Sequence, residues 1–214
     1  MSSSLARFRI GEGEVLLLAT VQGLVSERDR AYAALKVERP DVVAIAQSPE
    51  SVATLLRYEP AEDEDLFEDL PDHDYVYSLR LREFGDVSLP APDLLAAVRW
   101  AQDEGVPVFG VDMPEEAYED LFTKEVSTWG FLRYGRIQRR LAKRPPKAKD
   151  PLSFTLAWDA TIRKVKGIAR VEAERERVIA RNAAALAREK GAKVLLIVEA
   201  ARQAGVGQHL KDAA

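Results

Sequence analysis

Three short segments of this chain are apolar at nearly every position, and amphipathic or polar sequence separates them. They are Glu14–Ala19, Val42–Ala46 and Val194–Val198. Continuous apolar runs of this length are typical of strands in a parallel sheet that helices cover on both faces. A crossover helix that begins at about Ser26 is predicted to join the first two runs. It stops at Arg39, because Pro40 disfavours helix at the residue before it. The pattern predicts an α/β domain with a mostly parallel central sheet.

Local signals define the elements around these runs. Phe8–Ile10, the turn Gly11–Gly13 and the first run predict an N-terminal hairpin. Ser26 and Asp29 resemble a capping box for the crossover helix, whose apolar stripe is predicted to contain Leu24, Ala31, Tyr32 and Leu35. Ser48-Pro49 predicts the start of a helix that continues to about Tyr58.

The second half of the chain alternates between predicted helices and strands. Asp93–Glu104 is amphipathic and ends at Gly105, a typical left-handed cap. Val106–Val111 predicts a strand, and Pro107, which cannot donate to a neighbour, indicates either its unpaired start or an edge position. Further helices are predicted from Pro114 and over Trp129–Arg144. Leu152–Lys190 is predicted to form one helix or two helices with the break at Gly167, whereas Tyr75–Leu79 fits a strand or a helical turn. We predict one domain, residues 1–214, with a helical, partly basic insertion at 113–170.

The formal net charge of −4 hides two oppositely charged segments. Residues 59–74 carry nine acids and no Lys or Arg, and Ala61–Asp74 is predicted to be a mobile loop. Residues 126–149 carry eight Lys or Arg and no acid, with aromatic residues nearby. The basic side chains are Arg133, Arg136, Arg139, Arg140, Lys143, Arg144, Lys147 and Lys149. Positions 133, 136, 140, 143 and 147 would form one stripe along a helix. The stripe could be a solvated surface, or it could bind nucleic acid, an anionic membrane, or an acidic segment of this chain or of a second copy.

The amino-acid composition excludes several kinds of catalytic and metal-binding site. The chain has no cysteine, which excludes disulfides and thiolate catalysis and fits a cytoplasmic protein. Its two histidines are too few for a histidine-rich metal site, so we expect no metal and no cofactor. No apolar run reaches the roughly 18 residues of a transmembrane span, and the N-terminal residues lack the apolar stretch of a secretory signal.

The order of several motifs resembles that of TraB/PrgY-type domains, relatives of the GumN, ChaN and erythromycin-esterase-like proteins. Arg39-Pro40-Asp41-Val42-Val43 is similar to the family's second strand opening, and Val111-Asp112 to the end of its next strand. Glu174–Ala180 resembles the family's Glu-Arg-Asp helix, and Val194–Leu210, with Gly205-Val206, resembles its closing strand and last helix. The resemblance covers about two thirds of the chain and implies a cleft at the strand ends that Glu174 and Arg175 face.

The family's catalytic positions differ in this chain. Its Gly-Thr-Ala-His motif corresponds to Ala19-Thr20-Val21-Gln22, and the glutamate that ends its second strand corresponds to Gln47. Its closing Gly-x-x-His corresponds to Glu199-Ala200-Ala201-Arg202, and Met113 follows Asp112 where the family has arginine. Neutral amides are poor ligands for a divalent metal and are not general bases. The resemblance therefore implies a catalytically degenerate, pseudoenzyme-like domain, without the membrane-spanning tail of some members.

These observations leave three functions open. The first is a cytoplasmic binding or regulatory module that takes an unknown protein or a small polar ligand, either as a monomer or as a homo-oligomer. Its predicted pocket is lined by Thr20, Gln22, Gln47, Asp112, Glu174, Arg175, Glu199 and Arg202. The second is a divergent metal-dependent hydrolase in which Asp112 and Glu199 act as acid and base. The third is a nucleic-acid or ribosome-associated factor that uses the basic stripe at 133–149.

Overall fold

The computed structural model describes residues 5–59 and 72–214, without the side chains of residues 72–74 and 190. Within them a five-stranded sheet has the order β1-β2-β5-β3-β4. The strands are β1 Ala6–Ile10, β2 Gly13–Thr20, β3 Val42–Ile45, β4 Val108–Gly110 and β5 Lys193–Glu199. β1 and β2 form the predicted antiparallel hairpin, and every other pair is parallel. The predicted α/β class is confirmed.

Helices connect the strands and flank the sheet. Their bounds are α1 Val25–Glu38, α2 Pro49–Arg57, α3 Asp72–Leu81, α4 Pro92–Glu104, α5 Glu115–Glu125, α6 Thr128–Lys143, α7 Pro151–Ile162, α8 Lys166–Lys190 and α9 Gln203–Asp212. A single 3-10 turn, Ala200–Arg202, separates β5 from α9. None of the described helices has both the length and the hydropathy that are needed to cross a lipid bilayer.

Each face of the sheet packs against its own layer of helices. Alternate residues of β2 divide between them, so that Val15 and Leu17 join one buried cluster and Leu16 and Leu18 join the other. The first cluster includes side chains of α8 and α9, and the second includes side chains of α1, α2 and α4. Because side chains in a strand alternate between faces, a strand that is buried on both sides must be apolar at nearly every position.

α8 approaches the sheet through small residues. Ala180, Ala183, Ala184 and Ala187 are buried in this layer. At the end of that interface a Cβ on Gly13 would lie 2.4 Å from the carbonyl oxygen of Ala187. Glycine is therefore required at the start of β2, where the backbones of the strand and the helix come into close contact.

α3, α5, α6 and α7 form a helical cap beside the carboxyl ends of the strands. Phe154 and Trp158 of α7 pack with Leu141 of α6 and Leu81 of α3 in one buried cluster. A second cluster joins α5 and α6 to the first turns of α8 and includes Ile168 and Val171. This cap contains most of the predicted insertion, together with α3, which precedes it in the chain.

Several local predictions are corrected. Leu24, not Ser26, is the N-cap of α1, and no side chain caps that helix; Tyr32, predicted to face inward, is 43% exposed. Tyr75–Leu79 belongs to a helix, α3. Most of the acidic segment predicted to be a mobile loop lies outside the described residues, and its last three residues, 72–74, are in α3.

The break between α7 and α8 precedes Gly167 instead of coinciding with it. α7 ends at Ile162 and α8 begins at Lys166, so Gly167 lies in the first turn of α8. A Cβ at this position would lie 2.5 Å from the carbonyl oxygen of Glu125, at the end of α5. Gly167 is therefore needed for the close contact between α8 and the end of α5, and it does not mark the break between α7 and α8.

Candidate ligand-binding cleft

The carboxyl ends of the four parallel strands lie at one edge of the sheet. Thr20 and Glu199 end the adjacent strands β2 and β5 and are paired in register. Gln47 and Asp112 follow the ends of β3 and β4, and the amide of Asp112 donates to the carbonyl oxygen of Gln47 at 3.1 Å. This edge is the usual ligand site of open parallel sheets, and it is the place at which the sequence predicts a pocket.

A cavity with a volume of about 690 Å³ opens at this edge. Glu50, Glu115 and Glu199 line it, and none of its described lining residues is Lys, Arg or His. Amide and hydroxyl groups complete its polar surface, supplied by Gln22, Gln47, Ser51, Thr54, Tyr77 and Ser78. The cavity therefore combines negative charge with many neutral hydrogen-bonding groups.

Two smaller cavities adjoin the first through shared residues. A cavity of about 420 Å³ shares Gln47, Tyr77 and Glu199 with it and extends beneath the helical cap, where aromatic side chains such as Trp158 line it. A third, of about 230 Å³, shares Gln47 and lies beside Asp112. We refer to the three together as the cleft.

Six of the eight predicted pocket residues line the cleft. They are Gln22, Gln47, Asp112, Arg175, Glu199 and Arg202. Thr20 does not line it, because its side chain points to the same sheet face as Leu16 and Leu18 and its hydroxyl donates to Asp93 of α4 at 2.7 Å. Glu174 is also absent from the cleft and pairs with Arg177 on the outer surface of α8. The structure therefore does not bring these two residues into the cleft.

A group of paired charges, which we call the charge cluster, forms the wall of the cleft next to α8. It consists of Asp112, Asp159, Arg163, Glu172, Arg175, Glu176 and Arg202. Glu172 is at its centre: it forms an ion pair with Arg202, and its Oε1 lies 3.3 Å from Nη1 of Arg175. Arg163 joins α7 to α8, since it reaches Asp159 at 2.5 Å and Glu176 at 2.6 Å.

The pKa values of the cluster follow from this pairing. Burial raises the pKa of Glu172, but Arg202, Arg175 and Arg163 together outweigh burial and hold that pKa below its usual value. Burial lowers the pKa of Arg175, and the carboxylates of Glu172 and Asp112 more than reverse this effect. The cluster is therefore a set of mutually stabilised ions, in which loss of one member leaves others buried without a partner.

Asp112 is fully engaged in this cluster. Its Oδ2 accepts hydrogen bonds from Nε of Arg175 at 2.9 Å and from Nη2 at 2.5 Å, and its Oδ1 accepts from the amide of Met113 at 2.8 Å. It lines only the smallest cavity, whereas Glu199 lines the two larger ones. The two carboxylates of the hydrolase hypothesis thus face different parts of the cleft.

Of the two strand-end carboxylates in the cleft, Asp112 and Glu199, Glu199 has the weaker pairing. Its side chain is 33% exposed, and its nearest cation is Nε of Arg202, 4.0 Å from Oε2. Although a third of the side chain is exposed, the surrounding protein desolvates the carboxylate and raises its pKa, and the opposing attraction of Arg202 does not cancel that effect. A ligand cation next to Glu199 would supply the charge partner that the protein itself provides only at long range.

The glycine that the resemblance places at the start of the last helix lies against the charge cluster. A Cβ on Gly205 would overlap the carboxylate of Glu176, which Arg163 holds in place. Only a residue without a side chain fits here while that ion pair is kept. The sequence motif thus has a local structural reason, independent of any catalytic role.

The charge cluster contains residues that the sequence analysis missed. Glu172 and Glu176 face inward with Arg175, because residues three or four apart lie on one side of a helix. The buried residues Ile168 and Val171 mark the same side. That periodicity could have placed Glu172 in the cleft and Glu174 outside it. Tyr77 had no comparable signal, since its segment fitted a strand as well as a helical turn.

The basic residues lie away from the cleft, on α6. Arg133, Arg136, Arg139, Arg140 and Lys143 are exposed, and within the described chain none of them forms an ion pair. We call these five the cationic face. Because α6 ends at Lys143, Arg144 and Lys147 follow the helix, and the prediction that Lys147 continues the helical stripe is wrong. On the other side of α6, Ile137 and Leu141 pack into the cap.

No group of three or more Asp, Glu or His side chains in the described residues is arranged to hold a metal ion. No protein-family model matches the sequence. A search of curated proteins also finds no match. The geometry of the cleft and of α6 therefore carries the functional argument.

Proposed function

We propose that this chain is a cytoplasmic binding module that holds a small polar ligand bearing a protonated amine in its cleft. The observation that carries the proposal is the charge of the cavity of about 690 Å³. Three carboxylates line it without a described cation, while the nearby guanidiniums of Arg175 and Arg202 are already paired with Asp112 and Glu172. A ligand amine would offset this uncompensated negative charge.

The size and lining of the cavity favour a small polar molecule. A volume of about 690 Å³ is within the usual range for ligand pockets. Gln22 and Gln47 lie side by side at its base, with Nε2 of Gln47 3.4 Å from Oε1 of Gln22. Nε2 of Gln22 is buried without a hydrogen-bond partner in the described structure, so it is available to donate to a ligand hydroxyl or carbonyl.

The resemblance to TraB/PrgY-type domains supports the same proposal. Residues at the family's catalytic positions line the cleft, but they are amides at two of them, Gln22 and Gln47, and a paired arginine at a third, Arg202. We propose that the domain is a degenerate member of that lineage that kept the cleft and lost the metal chemistry.

The test uses three polyhydroxy probes of similar size and different charge: cationic glucosamine, neutral glucose and anionic gluconate. We expect glucosamine, under slightly acidic conditions that keep its amine protonated, to raise the melting temperature, and glucose and gluconate to do so much less. At tenfold excess over Kd the stabilisation is about 1.4 kcal/mol. Glu199→Gln should weaken glucosamine binding by about tenfold, since it removes the carboxylate nearest the amine.

Glu174→Gln is the matched control, because it removes one carboxylate from the same region without touching the cleft. Equal shifts with gluconate and glucosamine, or a Glu199→Gln protein that binds glucosamine like the wild type, would contradict the proposal.

A further inference from the structure

The cationic face of α6 is a second charged surface, separate from the cleft. None of its five residues, Arg133, Arg136, Arg139, Arg140 and Lys143, lines any of the three cavities. From Arg133 to Lys143 the face extends about 15 Å along the helix axis. No Asp or Glu occurs from residue 126 to residue 149, so the sequence supplies no local counter-charge.

The N-terminal turn of α6 adds exposed aromatic surface to this charge. Trp129 is 74% exposed and Phe131 is 58% exposed. At 3.6 residues per turn, Trp129 lies on the same side of the helix as Arg133, Arg136 and Arg140. A row of cations that continues into an exposed indole ring combines two kinds of contact, one for phosphates and one for a flat apolar ring.

We propose that the cationic face binds single-stranded nucleic acid without strong sequence preference. Guanidinium groups bind phosphates in a bidentate manner, and four of the five cations are arginines. Exposed aromatic rings stack bases of any identity, so a cationic row with a tryptophan at its end matches the chemistry of such binders.

An anionic membrane fits the surface less well. A helix that binds in the membrane interface buries a continuous apolar face. In α6 the apolar side, including Ile137 and Leu141, is already packed into the helical cap. The exposed apolar residues are confined to the first turn, at Trp129, Phe131 and Leu132. Little apolar surface therefore remains for insertion along the cationic part of the helix.

The experiment measures binding of a fluorescently labelled, mixed-sequence single-stranded RNA to the full chain by anisotropy at several salt concentrations. Five phosphate contacts predict a slope of log K against log salt of about −3.5. The variant Arg136→Glu/Arg140→Glu/Lys143→Glu should weaken binding by at least about 100-fold at low salt. Trp129→Ala should weaken it by about tenfold, through loss of one stacked base.

The control variant is Arg28→Glu/Lys36→Glu/Arg99→Glu, which changes the net charge equally at exposed positions on α1 and α4. It should bind RNA within about threefold of the wild type, because net charge alone acts weakly at a distance in salt. A protein that does not bind the RNA at low salt, or a control variant as defective as the α6 variant, would overturn the proposal.

Two further probes separate nucleic acid from other polyanions. Poly-glutamate carries negative charge without bases, and we expect it to compete poorly and with no dependence on Trp129. Vesicles that contain phosphatidylserine should bind more weakly than the RNA and be displaced by it. Tighter binding to poly-glutamate or to the vesicles than to RNA would assign the surface to an acidic protein or to a membrane, and would overturn the nucleic-acid proposal.

Discussion

Arginine has opposite surroundings in two regions of this molecule. In the charge cluster, Arg163, Arg175 and Arg202 each lie within hydrogen-bonding or ion-pair distance of a carboxylate. On the cationic face, Arg136 and Arg140 lie one helical turn apart in solvent without an ion pair in the described chain. Buried charge requires a partner, whereas water and salt screen an exposed charge. The density of charge along the sequence therefore indicates little until burial and neighbours are known.

The largest expected effect comes from removing the centre of the charge cluster. Glu172→Gln keeps the shape of the side chain but leaves Arg202 buried with only the distant Glu199 as a carboxylate. We expect the free energy of unfolding to fall by about 3 kcal/mol, as for other broken buried pairs. Chemical denaturation measures this change.

Glu174→Gln is the comparison within the same helix, since its partner Arg177 is largely exposed. It should change the free energy of unfolding by less than about 0.5 kcal/mol. Equal effects of the two substitutions would mean that burial does not distinguish the two kinds of pairing.

The pH dependence of stability provides a further comparison, between the buried carboxylate Asp93 and the charge cluster. Asp93 is fully buried beside Thr20, and burial raises its pKa from 3.8 to about 6. Between these two pKa values Asp93 keeps its proton in the folded protein but has lost it in the unfolded chain. Its contribution to the free energy of unfolding is therefore greatest below about pH 4. That contribution is lost as the pH rises through about 6, by up to about 3 kcal/mol.

Asp93→Asn should remove this dependence, so its stability relative to the wild type should rise between about pH 4 and 6. Glu172 should behave in the opposite way, since its lowered pKa makes its stabilisation disappear as the pH falls. The Asp93 effect appears between about pH 4 and 6 and the Glu172 effect only below pH 4.5, so unfolding curves that extend below pH 4.5 distinguish the two. Parallel pH profiles for wild type and Asp93→Asn would contradict the assignment.

The smallest expected effect concerns the cationic face. Arg136 and Arg140 are four residues apart, and Arg140 and Lys143 are three apart, spacings at which like charges on a helix repel by a few tenths of a kcal/mol. Glutamine at all three positions should leave stability unchanged or raise it by up to about 0.5 kcal/mol at low salt, with a smaller gain at high salt. Thermal unfolding at two salt concentrations checks this, and a clear loss of stability would mean that these residues are structural.

The sequence predicts the sheet better than it predicts the polar interior. Continuous apolar runs identify β2, β3 and β5 because burial on both faces leaves few alternatives at each position. The strand order does not follow from those runs, since nothing in Val194–Val198 indicates that this segment lies between the other two. The alternation of side chains along β2 would have placed Thr20 outside the predicted pocket. The periodicity of α8 would have done the same for Glu174.

The partners within the charge cluster depend on contacts between distant segments. Arg202 meets Glu172 only because the 3-10 turn after β5 packs beside α8 and α7. No local pattern encodes that approach. The cleft can thus be predicted as a location from strand ends, whereas its charge balance follows from tertiary packing.

The central position of β5 has a consequence for the order of folding. β2 and β3 are both complete by residue 45, but neither pairs with the other, and both pair with residues 193–199. During synthesis at about 5–20 residues per second, the chain spends roughly 8 to 30 s with two apolar strand edges and no strand to join them. A sheet closed by its last strand has a high contact order and folds slowly. The edges of β2 and β3 therefore remain without their central partner until the C-terminal strand arrives.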